Sequence, residues 1–341
     1  MTAPNEPFAV MPNIGHHPAP EPPAVRPGPA EMRALTRPLS VIMVSYRTGP
    51  SLFLAIDAVM TAHEVAELVL VNHDNPRETV LRLDALARTR PKLRLIHSGG
   101  NLGFARGCNL GARHARGDVF LFLNPDAVLA QGAAAQMMAT LRDMPEPGIV
   151  GARLMDPTGR EQRGARRGEL TIGSALSGFL GLARFLPFLR DVHRENEALP
   201  DDADPSPVVS GAAMMMTRTG FETLGGFDEG YFLHVEDIDI CQRARTAGGS
   251  VMFEPRAVVL HYGSTSKASL FAVETWKARG LTRYFRIHCG LLGRLIAPAL
   301  GPALWLALMS RAVLVRVRQQ VGDKLRRLAA WRRLMRRRRN H

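Results

Sequence analysis

The chain has 341 residues, 46% of them hydrophobic, which is enough for one large domain or two smaller ones. Its net charge is +13, but residues 311–341 hold eleven arginines, one lysine and one aspartate, so +11 belongs to this segment and the body is near neutral. Such a segment favours an anionic membrane or nucleic acid as partner. Cys108, Cys241 and Cys289 are widely spaced, which argues against a disulfide framework and fits a reducing cytosol. The first residues lack the pattern of a signal peptide.

The first half of the chain alternates strand and helix patterns. Residues 1–38 contain ten of the 24 prolines and no periodic apolar pattern, which predicts a disordered leader without a catalytic role. After the leader, strand patterns alternate with helical patterns in units of about 30 residues, which predicts βαβ units and a parallel sheet. The strands are predicted at 39–46, 67–72, 92–97 and 119–123, and the helices at 50–62 and 76–89. A glycine-punctuated loop and a helix of small residues follow Asn101.

The second half is less regular. A helix at about 130–142 and a strand at 149–155 precede an insertion at 156–206, whose basic, apolar and acidic parts follow one another. The apolar part, at 172–189, is predicted to form a mobile helix or flap. Regular structure resumes with an apolar run at 208–217, a helix at 236–247, and strands at 250–253 and 257–261.

Residues 266–341 are predicted to be helical. The longest uncharged stretch, 295–310, has 16 residues and two prolines, whereas a spanning helix needs about 20, which argues against a transmembrane segment. From Leu314 to Met335, apolar residues recur at spacings of three and four with arginines on the other faces. This basic amphipathic helix is suited to a membrane interface. Packing on protein is the alternative, and nucleic acid is disfavoured because no periodic aromatic residues accompany the charge.

Three positions are candidates for chemistry. Asp126 ends a predicted strand, where a carboxylate can hold a divalent ion on a diphosphate, although it or Asn124 could instead cap the next helix. The pair Glu236-Asp237 opens a predicted helix and could either cap it or supply a general base. His261, at a strand end, could ligate a metal or serve as a structural hydrogen-bonding residue. No GxGxxG, P-loop, GxSxG or HExxH motif is present.

Motifs in both halves resemble those of the family 2 glycosyltransferases, and among them the rhamnosyltransferase-like branch. They are Val41–Tyr46, the run Asn101-Leu-Gly-Phe-Ala-Arg-Gly-Cys-Asn-Leu-Gly111, Gly117–Asp126, Ser210–Ala212, Gly225–Glu229, Phe232–Arg243 and His261. Their order and spacing carry the resemblance, which covers about residues 39–265. It implies the α/β fold called GT-A: a mixed, mainly parallel sheet flanked by helices, with a nucleotide-binding half at 39–126, an acceptor-binding half at 127–265 and a helical C-terminal extension.

The resemblance also implies roles for particular residues. Asp126 and His261 would hold Mg²⁺ or Mn²⁺ on the donor diphosphate, and Asp237 would be the catalytic base with Glu236 beside it. The nucleotide-sugar site would include Ser45, Tyr46, Asn72, Asn101, Gly103, Phe104, Asn109 and Asn124. Asn72 is a departure, because many relatives have an aspartate at this position that contacts the nucleotide base.

The implied reaction is the inverting transfer of a sugar to a hydroxyl of a lipid-linked or cell-surface polysaccharide acceptor. Rhamnose from dTDP-rhamnose is the expected donor, with a UDP-sugar as the alternative. The enzyme is expected in the cytoplasm, peripheral to the inner face of the cell membrane, with no nucleic-acid partner. A nucleotidyltransferase is disfavoured because Arg47 is the only basic residue in the loop after the first strand. An inactive carbohydrate-binding scaffold is disfavoured because the acidic candidates are intact.

Overall fold

The computed structural model describes residues 38–174, 192–263 and 269–310, with residues 312, 313 and 316. Nearly all of the predicted leader, most of the apolar part of the insertion and nearly all of the amphipathic helix from Leu314 lie outside the described residues, so they stay predictions. The strands are β1 Leu39–Ser45, β2 Val65–Asn72, β3 Leu93–His97, β4 Val119–Leu123, β5 Ala127–Leu129, β6 Ile149–Met155, β7 Arg166–Arg167, β8 Asp204–Pro205, β9 Val208–Val209, β10 Ala213–Thr217 and β11 Val251–His261. The helices are α1 Ser51–Thr61, α2 Arg77–Thr89, α3 Phe104–His114, α4 Ala133–Arg142, α5 Arg218–Thr223, α6 Glu236–Thr246, α7 Leu270–His288 and α8 Gly290–Ser310.

One mixed sheet organises these elements. Its strand order is β3-β2-β1-β4-β10-β6-β11-β5, with β8 paired to β11. The strands β3, β2, β1 and β4 are parallel, as their apolar runs predicted, and β10 joins the two halves by pairing antiparallel with both β4 and β6. The polar ends of β1, β2 and β4 therefore lie along one edge of the sheet.

Both faces of the sheet are covered by helices. Because side chains alternate along a strand, Ile42 and Val44 of β1 belong to a buried cluster with residues of α3, α6 and α7. Val41 and Met43 belong to a second buried cluster, on the other face, with residues of α1 and α4. Burial on both faces explains why β1 and β4 are continuous apolar runs rather than alternating ones.

The glycines of α3 let this helix approach β1 closely. A Cβ atom on Gly111 would lie 2.5 Å from Cγ2 of Ile42, and one on Gly107 would lie 2.7 Å from Cγ1 of Val44. Neither distance is compatible with van der Waals contact. The small residues at these positions therefore set the height of α3 above the sheet.

Two strands, β5 and β11, differ from the predicted ones. The strand β5 was not predicted and separates Asp126 from α4, which begins at Ala133. The predicted strands at 250–253 and 257–261 are one strand, β11, whose pairing with β6 jumps from Glu254 to Val258 while β6 advances by one residue. Pro255 lies inside this bulge, and its missing N–H explains why the sequence suggests a break.

The C-terminal helix α8 is longer than its uncharged stretch. It begins at Gly290, includes Arg294 and is long and apolar enough to cross a membrane. Of its most apolar 18 residues, 22% are buried. The helix is therefore longer than the uncharged stretch 295–310, on which the prediction against a spanning segment rests. Cys108 and Cys241 are buried, and Cys289 is partly buried; none of the three is in a disulfide in this structure.

Candidate active site

Asp126 lies in the turn between β4 and β5. The N–H of Asn124 donates to the carbonyl of Ala212 at 2.9 Å, and the N–H of Ala127 donates to the carbonyl of Asn124 at 3.1 Å. These bonds fix the turn, and Asp126 is buried within it. The alternative role as a helix cap is wrong, because α4 follows Gly132 and no side chain caps it.

His261 is brought to Asp126 by strand pairing. In the antiparallel ladder of β11 and β5, His261 lies opposite Ala127. Its Nε2 atom lies 3.2 Å from Oδ1 of Asp126 and 3.2 Å from Nδ2 of Asn124. Its Nδ1 atom lies 2.5 Å from Oε1 of Gln162, an oxygen that only accepts. In the neutral ring the proton is therefore on Nδ1, and the Nε2 lone pair faces Asp126 and Asn124.

This pair is suited to a divalent ion that is also held by substrate. Among the described residues, no group of three or more His, Cys, Asp and Glu side chains could hold a metal ion. Asp126 and His261 offer one carboxylate and one imidazole nitrogen in the ligating tautomer. An ion held by this pair would take its other ligands from phosphate oxygens and water, as Mg²⁺ does in phosphate-transfer sites. The residues fit such an ion.

The acidic pair follows a strained turn. His234 and Val235 have φ angles of 66° and 75°, which cost about 1–3 kcal/mol each for residues other than glycine. The turn is held by α7, where a Cβ atom on Gly280 would lie 3.0 Å from Cγ2 of Val235. The strained conformation starts α6 at Glu236 and places both acids in its first turn.

Asp237 accepts hydrogen bonds from two directions. Its Oδ2 atom lies 2.5 Å from Nη2 of Arg167 and 3.2 Å from the backbone nitrogen of Gly211. Its Oδ1 atom accepts from the backbone nitrogen of Ile238 at 2.8 Å. The side chain is 14% exposed. A carboxylate held this way is oriented before any substrate arrives.

The two acidic centres meet at one junction. Ala212 binds the Asn124 backbone, and the adjacent Gly211 binds the Asp237 carboxylate. The residues predicted to hold a cation and to accept a proton are therefore joined through a single peptide between β9 and β10. A Cβ atom on Gly211 would lie 3.2 Å from Cβ of Asp237, a tight contact that Asp237 would have to relieve by moving a few tenths of an ångström.

Glu236 differs from Asp237 in its hydrogen bonding. It is 5% exposed, and its Oε2 atom has no hydrogen-bond partner among the described residues. Burial, together with the charge of Asp237, raises the pKa of Glu236 from 4.5 to about 8. Glu236 therefore keeps its proton at neutral pH and is not available as a base.

A buried polar network lies at the ends of β1 and β2. Asn75 donates to the carbonyl and hydroxyl oxygens of Ser45, at 3.0 and 2.9 Å, and to Oδ1 of Asn72 at 2.7 Å. The Nδ2 atom of Asn72 lies 2.9 Å from Nδ1 of His97. Both polar atoms of Asn72 are therefore engaged within the protein. Tyr46 is half-buried beside this network.

The glycine-punctuated loop links the two halves. The carbonyl of Phe232 accepts from the backbone nitrogen of Phe104 at 2.8 Å, and a Cβ atom on Gly103 would lie 2.6 Å from that carbonyl oxygen. Asn101 accepts from the backbone nitrogen of Gly103 at 3.0 Å and shapes the loop. Asn109 binds the backbone of Phe227 with both amide atoms, at 2.8 and 3.0 Å. In this structure Asn109 therefore joins α3 to the second half, and its place in the nucleotide site stays a prediction.

Sequence reasoning missed Gln162 and Arg167. Both lie in the basic run at 160–167 of the insertion, which has neither helical nor strand periodicity. Nothing local distinguishes Arg167 from Arg163 or Arg166, since only the folded chain decides which arginine reaches Asp237. His73 was also missed: it is 1% exposed, burial lowers its pKa, and it lies 2.6 Å from Oγ of Ser98.

A family model described as glycosyl transferase family 2 matches residues 40–223, more than half of the chain, so the chain belongs to this family and is a glycosyltransferase. It is 28% identical over 253 residues to N-acetylglucosaminyl-diphospho-decaprenol L-rhamnosyltransferase of Mycobacterium tuberculosis, covering 68% of this chain and 78% of the relative. It is 25% identical over 199 residues to rhamnosyltransferase WbbL of Escherichia coli, covering 55% and 71%. The predicted resemblance to the rhamnosyltransferase-like branch is confirmed.

The fold is similar to that of solved glycosyltransferases. The mannosyltransferase PcManGT from Pyrobaculum calidifontis, in complex with GDP-Man and Mn²⁺, gives a TM-score of 0.50 at 19% identity, over 87% of this chain and 86% of that one. GalNAc-T7 with UDP, GalNAc and Mn²⁺ gives 0.54 at 17% identity, over 73% of this chain and 48% of that one. At these identities the likeness shows the fold, which is GT-A as predicted.

Proposed function

We propose that this glycosyltransferase is inverting and metal-dependent, and that it transfers rhamnose from dTDP-rhamnose to a hydroxyl of a lipid-linked saccharide. The observation that carries the proposal is the junction at Gly211–Ala212, which joins the Asn124–Asp126 turn to the Asp237 carboxylate. The names of the two rhamnosyltransferase relatives support the choice of sugar, and the decaprenol-linked substrate named for one of them supports the acceptor.

Asp237 is the proton acceptor in this proposal. The acceptor oxygen forms its bond to the anomeric carbon while its proton passes to Asp237, and the bond from that carbon to the diphosphate oxygen breaks on the opposite face. The configuration is thereby inverted. Glu236 is unsuited to this step because it already holds a proton at neutral pH. It can instead donate a hydrogen bond from within the site.

Asp126 and His261 would hold Mg²⁺ or Mn²⁺. The bound ion would neutralise the charge that develops on the departing diphosphate. Without the ion Asn124 donates to Nε2, and the ion would replace this hydrogen bond because Nε2 has a single lone pair. The nucleotide would lie along the ends of β1 and β2, at Ser45, Tyr46 and Asn72. The loop that begins at Asn101 and contains Gly103 and Phe104 would border it.

A donor panel tests the proposal. We expect dTDP-rhamnose to raise the melting temperature in the presence of Mn²⁺ more than UDP- or GDP-sugars do. We also expect dTDP release only when a polyprenyl-diphosphate-linked saccharide is added, with NMR showing the inverted anomeric linkage. A retained configuration would refute inversion, and a preference for a UDP-sugar would refute the rhamnose donor. A protein that binds sugars but releases no nucleotide would be a scaffold.

We further infer that α8 lies on the surface of an anionic membrane. One stripe of the helix packs on the protein, through Ala297, Leu304 and Leu308. The outward face is apolar and exposed, through Leu291, Leu292, Leu295, Trp305 and Leu306. Because packing on the protein runs along the helix, an orientation in the membrane plane fits better than a crossing. The +11 charge of residues 311–341 follows directly and favours anionic lipid.

Vesicle sedimentation of the full chain tests this placement. We expect binding to vesicles containing anionic lipid, weaker binding to neutral ones, and release by high salt. The double variant Leu291→Ser/Leu295→Ser should bind more weakly, whereas Leu81→Ser, which changes another exposed leucine, on α2, should bind like the wild type. Resistance to both salt and alkaline extraction would indicate a spanning helix and contradict the peripheral placement.

A further inference from the structure

One short segment, Gln162–Arg167, contacts both sides of the candidate site. Gln162 lies 2.5 Å from His261 on the cation side, and Arg167 lies 2.5 Å from Asp237 on the proton-accepting side. The segment belongs to the insertion and sits between β6 and the residues that the structure does not describe.

The segment is held rigidly by its own contacts. The backbone nitrogen of Gln162 donates to the carbonyl of Leu154 at 2.8 Å, and that of Ser210 donates to the carbonyl of Ala165 at 3.1 Å. Arg166 is 2% exposed and pairs with Glu161 at 2.8 Å. Because side chains alternate along a strand, Arg166 anchors one face of β7 and Arg167 projects from the other.

Apart from its contact with Asp237, the Arg167 guanidinium makes few hydrogen bonds. Its Nη2 atom also lies 3.4 Å from the carbonyl of Val209, but its buried Nε atom has no hydrogen-bond partner among the described residues. The side chain is 15% exposed. Leaving a buried donor unpaired is costly, so the fold holds Arg167 against Asp237 at the expense of its own hydrogen bonding.

We propose that Gln162 and Arg167 are positioning residues for sugar transfer, Gln162 acting through His261 and Arg167 through Asp237. The inference rests on the proposed function. Gln162 fixes the imidazole tautomer and ring orientation that present Nε2 beside Asp126, as outer-shell partners of metal-binding histidines do. Arg167 keeps the Asp237 carboxylate pointed along one direction until an acceptor hydroxyl reaches it.

Mn²⁺ binding tests Gln162 without requiring turnover. With dTDP present, calorimetric titration of Gln162→Ala should give a Mn²⁺ affinity about 10- to 100-fold weaker than wild type, in line with the loss of an outer-shell partner. Its dTDP affinity without metal and its melting temperature should be unchanged. Gln136→Ala, which removes an exposed glutamine from α4, is the matched control. An unchanged Mn²⁺ affinity in Gln162→Ala overturns this half of the proposal.

A double-mutant cycle tests Arg167. We expect Arg167→Met to lower kcat by about 10- to 100-fold with little change in donor KM, and Arg167→Lys to recover part of the loss. In the Asp237→Asn background, Arg167→Met should cause no further loss, because its effect passes through Asp237. Arg163→Met removes a charge from an exposed position of the same segment and should behave like wild type.

The outcomes separate the inference from the proposed function. A wild-type enzyme that transfers sugar, together with an Arg167→Met variant of equal kcat, overturns the role of Arg167. So does an additional loss of kcat in the double variant, which would mean that Arg167 contacts substrate directly. A wild type that transfers no sugar would reject the proposed function and with it the role of Arg167, while the Mn²⁺ titration still decides the role of Gln162.

Discussion

The Nε2 atom of His261 lies 3.2 Å from Oδ1 of Asp126, because β11 and β5 pair so that His261 lies opposite Ala127, the residue after Asp126. Gln162 contacts the other ring nitrogen of the histidine, Nδ1, and Asn124 contacts Nε2. The contact brings together two side chains suited to bind a divalent ion, although 135 residues separate them along the chain.

The first prediction concerns metal-dependent donor binding. Asp126→Ala should lower the affinity for dTDP-rhamnose in Mn²⁺ by more than about tenfold, a loss of over about 1.4 kcal/mol. The affinity without metal should not change, because the variant removes a metal ligand and no nucleotide contact. Calorimetry with and without EDTA measures both. Asp143→Ala, an exposed aspartate after α4, serves as the control. Equal Mn²⁺-dependent affinities in Asp126→Ala and wild type would refute the metal site.

The second prediction concerns proton transfer. Asp237→Asn should reduce kcat by about 10²–10⁴-fold, the usual contribution of a general base, while the donor still binds. Steady-state kinetics with the lipid-linked acceptor measures the change, and a Mn²⁺-dependent donor titration shows that the site is intact. Asp57→Asn, an exposed aspartate on α1, is the matched control. Turnover of Asp237→Asn near the wild-type rate would exclude it as the base.

The third prediction concerns pH. The pKa of Glu236 is about 8 in the folded protein, above its ordinary value of 4.5. Between these values the folded protein keeps a proton that the unfolded chain has lost. The stabilisation is therefore complete below about pH 4.5 and lost as the pH rises through about 8, by at most about 1.4 kcal/mol per unit.

Glu236→Gln should remove this dependence. Urea unfolding from pH 5 to 9 should show a smaller decline in the free energy of unfolding for Glu236→Gln than for wild type. Glu78→Gln, an exposed glutamate on α2, should decline as the wild type does. Parallel pH curves for Glu236→Gln and wild type would mean that Glu236 is ionised in the fold.

The fourth prediction concerns the packing of α3. Gly111→Ala should lower the free energy of unfolding by about 1–3 kcal/mol, because the added Cβ would lie 2.5 Å from Cγ2 of Ile42. Gly100→Ala, which meets nothing within 4 Å, should change stability by less than about 0.5 kcal/mol. Equal urea midpoints for the two variants would show that α3 does not approach β1 this closely.

The sequence predicted the sheet better than the site. Continuous apolar runs such as β1 and β4 are buried on both faces, so composition alone located them. The strand β5 was missed because three residues carry no periodicity. The basic run at 160–167 was recognised as basic, but its partners lie far along the chain, and local pattern cannot assign Arg167 to Asp237.

The sequence predicted some features of the candidate site residues and not others. Asp126 and His261 were predicted from motif order, and the structure brings them together. Glu236 and Asp237 are adjacent in sequence, yet burial gives them different protonation, which no sequence pattern reveals. The polar atoms of Asn109 are taken by the Phe227 backbone, a contact between residues whose spacing in sequence gave no hint of it.

The length of the bulge in β11 determines where His261 lies relative to Asp126. Pairing with β6 jumps from Glu254 to Val258, and the strand then runs without interruption to His261. Shortening the bulge by one residue would slip that register, and because neighbouring side chains point to opposite faces, the imidazole would turn away from Asp126. The length of this bulge therefore decides whether the imidazole of His261 lies beside Asp126.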